Sequence, residues 1–148
     1  AEAVSSGGSK SNAAEAEVAV AVVAALLRAG MAAADIGVIT PYVAQVQVLT
    51  DGLQRWGDAR GVGVEAVEVK SVDGYQGREK EVIVFSCVRA NPQGQVGFLE
   101  DWRRLNVALT RARCSLLVVG NLATLADAGC PNWAAWVQHV RSKGLVLQ

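Results

Sequence analysis

Apolar residues follow two rhythms along this chain, one at helical spacing and one in short continuous β-branched runs. Val18, Val22, Ala25 and Leu26 recur at helical spacing up to Gly30, with Asn12 as a plausible N-cap and Glu15 at the third helical position. That predicts a first helix, apolar nearly all round and therefore packed. Ile36 to Thr40 is a β-branched run ended by Pro41, the pattern of a buried strand that opens directly into a helix. The second helix carries Tyr42, Val46, Leu49, Leu53 and Trp56 on its stripe and Gln45, Gln47, Gln54 and Arg55 elsewhere on its surface. Gly57 to Gly63 reads as a loop, and Val64 to Val72 alternates as a strand half exposed or near a sheet edge. Val82 to Val88 and Leu116 to Val119 are continuously apolar and predict central parallel strands. Between them, Trp102 to Arg113 places Leu105, Ala108, Leu109 and Ala112 on one stripe, predicting a helix docked against the sheet. Leu122 to Ala128 is a short helix, and Pro131 opens a last one with Trp133, Trp136, Val137 and Val140 as its core face, before the apolar tail Leu145 to Leu147. Strands alternating with helices give the fold class α/β, an open, mainly parallel sheet flanked by helices.

Composition narrows the function classes. The 148 residues are 51% hydrophobic, which suits a single domain with a real core or a large piece of one. Lys plus Arg equals Asp plus Glu at 14 each, so no overall basic field announces nucleic acid and any such contact must be local. Cys87, Cys114 and Cys130 are odd in number and far apart, and read as small buried hydrophobes of a reducing, intracellular compartment, with no metal site. The most apolar stretch, Val18 to Leu27, is too short for a bilayer and sits in a charged frame, so no membrane association is expected. His139 reads as an ordinary surface residue. Ala1 to Ser11 has the composition of a flexible lead-in, and an alanine in first position suggests a fragment or a processed product. Two glycine patterns fail on context. Gly8-Ser9-Lys10-Ser11 lacks the first glycine and the preceding strand of a phosphate loop, and Gly61 to Ala66 precedes a strand where the dinucleotide fingerprint must follow one.

In open parallel sheets ligands bind outside the carboxyl ends of the strands, and the polar clusters are expected there: Thr40-Pro41-Tyr42, Ser71 to Glu79, and Arg89-Ala90-Asn91. On one continuous helix Arg104 and Arg111 share a flank, while Arg113 lies on the flank of Asn106, so Arg111 and Arg113 cannot share a target. Fixed guanidiniums suit a bidentate grip on phosphate or carboxylate, or equally a structural ion-pair helix.

Taken together, Ser9 to Ala16, Ile36 to Gln45, the Ser-Val-Asp-x-x-Gln-Gly-Arg-Glu-Lys of Ser71 to Lys80, Ser86 to Asn91 and the Arg-Leu-Asn-Val-Ala-Leu-Thr-Arg-Ala-Arg ending at Arg113 resemble the C-terminal motor domain of superfamily 1 helicases. The branch is the one containing RNA-surveillance helicases and their DNA-acting relatives. The likeness runs from about residue 9 to 147, with the two long motifs matching motifs V and VI. It implies a RecA-like P-loop NTPase motor domain without its own Walker A. By that resemblance Arg111 is the arginine finger reaching the γ-phosphate of ATP held on another lobe, Gly77 allows close backbone approach to nucleotide, and Glu79 accepts from the ribose hydroxyls. For Glu79, capping or an ion pair with Arg78 or Lys80 stays open. Thr40, Pro41 and Tyr42, and Ser71, Asp73 and Gln76, match segments along single-stranded nucleic acid, where tracking of the phosphate-sugar backbone reads no bases. Tyr42 is as readily core as contact, and Arg113 and Asn106 brace loops.

Departures accompany the likeness. Trp102 stands where the family usually has proline, and the arginine-bearing motif IV and the Walker A and B motifs are absent from this sequence. Residues 12–148 are therefore expected to be an N-terminally truncated C-terminal RecA-like domain, monomeric and inactive alone. Its ATP and Mg2+ would be held mainly by the N-terminal RecA-like domain, and its other partner would be single-stranded RNA or DNA. Two other classes remain: a noncatalytic nucleic-acid-binding or scaffold remnant, and a small-molecule Rossmann-like domain, against which the failed glycine fingerprint speaks.

Overall fold

The computed structural model describes residues 2–5, 7–127 and 129–147. Four parallel strands form the sheet: β3 (Ile36–Thr40), β4 (Glu68–Ser71), β5 (Lys80–Ser86) and β6 (Ala112–Val119), in the spatial order β4-β3-β5-β6. Before them, β1 (Ala3–Val4) and β2 (Lys10–Ser11) pair antiparallel as a short ribbon within the segment whose composition suggested a flexible lead-in. The helices are α1 (Ala13–Arg28), α2 (Val43–Asp58), α3 (Trp102–Leu109), α4 (Leu122–Asp127) and α5 (Pro131–Ser142). Ala128, in the stretch read as the short helix, lies outside the described residues.

Every residue of β3 and all but the first two of β5 are buried, as strands covered on both faces by helices must be. One layer packs α1 and α2 over Ile36, Val38 and Val84, around Ala19, Val23, Leu49 and Leu53. The other packs α3, α4 and α5 over Ile39, Ile83 and Phe85. There Trp133 is wholly buried, its indole N–H donating to the Leu99 carbonyl at 3.1 Å, with Trp136 edge-on at 5.6 Å.

Four expectations need correction. The Leu116–Val119 run belongs to an edge strand and not a central one, since nothing pairs with β6 beyond β5 among the described residues. Cys114 on that edge is exposed, its thiol donating to Glu81 Oε2 at 3.0 Å, whereas Cys87 and Cys130 are buried. Val64 and Val67, three apart, are both buried, which a continuous period-2 strand would not give, and only Glu68–Ser71 pairs in a ladder, at the sheet edge. The helix read over Trp102 to Arg113 stops at Leu109, where Thr110 Oγ1 bonds the Asn106 carbonyl at 2.7 Å, and Ala112 already pairs with Lys80. Strand pairing with β5 outweighs four further helical residues, Thr110 to Arg113. Leu105 and Ala108 still dock inward as the stripe required, but Arg111 lies in the turn and Arg113 on β6.

Candidate nucleotide and nucleic-acid edges

Because all four strands run the same way, the sheet has two chemically distinct rims. Thr40, Ser71 and Ser86 end strands at the carboxyl rim, whereas Lys80 and Ala112 begin strands at the amino rim. The candidate residues therefore divide: Gly77, Glu79 and Arg111 gather at the amino rim, and Thr40, Pro41, Tyr42, Ser71 and Asp73 at the carboxyl rim. The expectation that the whole Ser71 to Glu79 cluster sits beyond the carboxyl ends is thus half corrected, since this segment crosses from one rim to the other.

A buried aromatic holds the crossing in place. Tyr75 is fully buried, and it fits because residue 37 of β3 is glycine: a Cβ there would lie 2.1 Å from Tyr75 Oη and 2.8 Å from Ile83 Cδ1. Gly77, next along, has φ +73°, the left-handed region that favours glycine, and a Cβ at that position would meet nothing within 4 Å among the described residues. Its need is conformational, and the space above it is open.

At the amino rim the Lys80 N–H donates to the Arg111 carbonyl at 3.2 Å, which seats Arg111 beside Glu79. The half-exposed Arg111 side chain donates from Nε to the Val107 carbonyl at 2.8 Å and from Nη2 to Thr110 Oγ1 at 2.9 Å. These bonds to the end of α3 fix the group without neutralising it, and Arg111 has no carboxylate partner among the described residues. Its neighbours do: Arg113 Nε lies 3.3 Å from Glu79 Oε2 and its Nη1 3.4 Å from Glu81 Oε1, while Arg78 pairs with Glu68. The partner of Glu79 is thus Arg113, neither Arg78 nor Lys80. Since Glu79 and Arg113 are both about half exposed, that pair is labile.

At the carboxyl rim Thr40 and Pro41 are buried, so of Thr40-Pro41-Tyr42 only the half-buried Tyr42 brings a side chain toward the surface. Thr40 Oγ1 is buried without a hydrogen-bond partner among the described residues, and its carbonyl takes the Val72 N–H at 3.1 Å. Ser71 Oγ accepts from the Gly74 N–H at 3.2 Å, a turn-forming contact, and Gln76 is exposed. Asp73 lies 3.7 Å from Arg104, whose guanidinium covers the Phe98 ring at 4.0 Å, and Phe98 tilts toward Tyr42 at 6.2 Å. A row Tyr42–Phe98–Arg104–Asp73 therefore joins motif VI to motif V at this rim, and Arg104 and Arg111 serve opposite rims. No periodicity marks Phe98, which sits in a short 3-10 turn, Gly97–Glu100, ahead of α3.

Beneath this rim lies a buried polar network invisible to helical patterning. Gln45, placed by the pattern on the helix surface, is fully buried: its amide accepts from the Asn12 N–H at 2.8 Å and donates to Ser86 Oγ at 3.1 Å. Glu15, 7% exposed, accepts from the Ser86 hydroxyl at 2.7 Å and from the Val88 N–H at 2.6 Å. Val88 sits at φ +70°, a strained state for a β-branched residue, which the bond to Glu15 helps to hold. Burial raises the Glu15 carboxyl to about 7 despite these bonds. Arg89, 5% exposed, is matched by Glu2 of the ribbon at 3.1 Å; that carboxylate also takes the Ala90 N–H at 2.9 Å and the Asn91 amide at 2.7 Å. Burial opposes its ionisation, but the bonds from Asn91, Ala90 and Arg89 bring it down to about 2.

The motif V crossing between two rims coincides with a family match. An AAA domain family, AAA_12, matches residues 1–123. The chain belongs to this family. As an AAA domain it also has the mainly parallel sheet between helical layers of a RecA-like fold. Regulator of nonsense transcripts 1 of Dictyostelium discoideum is 41% identical over 144 residues, 97% of this chain and 11% of that protein. ATP-dependent helicase upf1 of Schizosaccharomyces pombe is 40% identical, covering 97% of this chain and 15% of its own length. DNA replication ATP-dependent helicase/nuclease DNA2 of Mus musculus is 42% identical, over 95% of this chain and 12% of its own length. The domain thus spans between 11% and 15% of these relatives.

Proposed function

We propose that this AAA domain is the C-terminal RecA-like motor domain of an ATP-dependent helicase, contributing the arginine finger and part of the single-strand track. The observation that carries the reading is Arg111: seated at the amino rim beside Gly77 and Glu79, half exposed, and without a carboxylate partner among the described residues, while Arg78, Arg89, Arg104 and Arg113 each have one. A cation held by carbonyl and hydroxyl oxygens keeps its whole charge for an incoming anion. ATP bound on a second lobe would meet Arg111 at the γ-phosphate and Glu79, freed from Arg113, at the ribose. The residues present suit the charge of a triphosphate. Among the described residues no group of three acidic, histidine or cysteine side chains could hold Mg2+, and we assign the metal to the lobe that carries the Walker motifs. At the carboxyl rim, Tyr42, Asp73, Gln76 and the backbone at Thr40, Pro41 and Ser71 would face the single strand, RNA or DNA.

The test is Arg111→Ala in a protein carrying this domain together with its partner motor lobe. ATP turnover should fall by roughly a thousandfold or more, the scale of an arginine finger, with nucleotide-free single-strand binding unchanged, because the charge acts across the cleft. Near-normal turnover would refute the assignment and favour a scaffold role.

A further inference from the structure

On the face of the sheet turned away from α3, α1 and α2 leave a groove of about 390 Å³ between them. Its floor is small and apolar: the alanines of α1 with Val20, and Val48, Gly52 and Trp56 of α2. Gly52 lets the helices approach closely, since a Cβ there would lie 3.1 Å from Val20 Cγ2. Three arginines, Arg28, Arg55 and Arg60, line the groove against one acid, Glu17. None of the three makes an ion pair among the described residues, and Arg60 lies over the Trp56 ring at 5.3 Å. Neither rim of the sheet contributes to this surface, so the proposed motor chemistry leaves it unused.

We infer that the α1–α2 groove is a docking site for an acidic amphipathic helix of a protein partner. The apolar floor takes the partner's hydrophobic stripe, and the arginines take carboxylates on its flanks. The charge on the lining selects the sign of the partner, and its concavity selects the shape. A flat anionic bilayer would reach the arginines but not Val48 or Gly52 between the helices, whereas a single helix can enter.

The probe is a fluorescein-labelled helical peptide with leucines at i, i+4 and i+7 and glutamates on both flanks, titrated against the 148-residue chain. Saturable micromolar binding is expected, lost when lysines replace the glutamates. The double variant Arg28→Glu, Arg55→Glu should weaken binding at least tenfold and gain affinity for the lysine peptide, a rescue that an unfolded variant could not show. Ala21→Trp, filling the groove from α1, should weaken binding of the glutamate peptide as much. Absence of binding, an affinity indifferent to charge reversal, or adsorption to anionic phosphatidylserine vesicles with none to the peptide would overturn the inference.

Discussion

The buried carboxyl of Glu15 gives the most exacting test of this structure. Folding moves it from an ordinary value of 4.5 to about 7, because burial penalises the ionised form more than the Val88 and Ser86 bonds favour it. The folded chain therefore holds a proton that the unfolded chain gives up between pH 4.5 and 7, and stability falls as pH rises through that window. At about 1.36 kcal/mol per pH unit, the span from 4.5 to 7 corresponds to roughly 3 kcal/mol lost by pH 8. Glu15→Gln keeps an oxygen for both donors and removes the titration. Urea unfolding of the two proteins from pH 4 to 8, read as their difference, should show the variant equal or slightly weaker at pH 4 and gaining on the wild type up to about pH 7. The difference isolates Glu15 from every other titrating group. A flat difference, or a wild type that gains on the variant as pH rises, would refute the buried, half-compensated carboxyl and with it the account of how Val88 is held.

Three other expectations follow from the same contacts. Glu2→Ala leaves Arg89 buried without its partner and should cost about 3 to 5 kcal/mol at neutral pH; because the Glu2 carboxyl is depressed to about 2, its contribution is present above about pH 4.5 and lost as pH falls toward 2, so the mutant penalty should shrink in acid. Gly37→Ala forces Tyr75 out of contact at 2.1 Å and should cost at least about 2 kcal/mol by thermal or urea unfolding. Tyr75→Phe deletes a buried hydroxyl that has no hydrogen-bond partner among the described residues and should be neutral or stabilising; a loss above about 1 kcal/mol would mean the hydroxyl has a partner.

Element order was legible because two periodicities alternate cleanly: continuous runs at Ile36–Thr40 and Val82–Ser86, and helical stripes at Leu49 and Leu53 or Leu105 and Ala108. Where pattern failed, tertiary contacts decided. Thr110 to Arg113 continue the helical stripe in sequence, yet the ladder with β5 claims Ala112, with a register irregularity at Lys80/Val82. Gln45 looks like a surface residue on any helical wheel because only the fold brings Asn12 and Ser86 to its amide, across 33 and 41 residues of chain. Arg89–Glu2 spans 87 residues and Asp73–Arg104 joins separate motifs; no local spacing announces either. Candidate residues were findable from motif resemblance, but which rim each occupies depends on strand direction, which a list of motifs does not contain.

That division between rims bears on how the proposed motor would work. Ser71 to Lys80 begins at the carboxyl rim, where Val72 bonds Thr40, and ends at the amino rim, where Lys80 bonds Arg111. Between the two, Tyr75 is clamped against β3 at Gly37, so the segment has a fixed midpoint inside the core. In the proposed motor, a shift of Asp73 against Arg104 would pass this fixed point to Gly77 and Glu79 without unfolding the sheet. α3 runs parallel to this path, with Arg104 near its start over Phe98 and Arg111 just past its end. Two rigid connections between the same rims, both running from the carboxyl to the amino side, resist shear better than one. The single strand and the triphosphate would then be coupled through Tyr75 and α3, with no direct contact between the two ligands required.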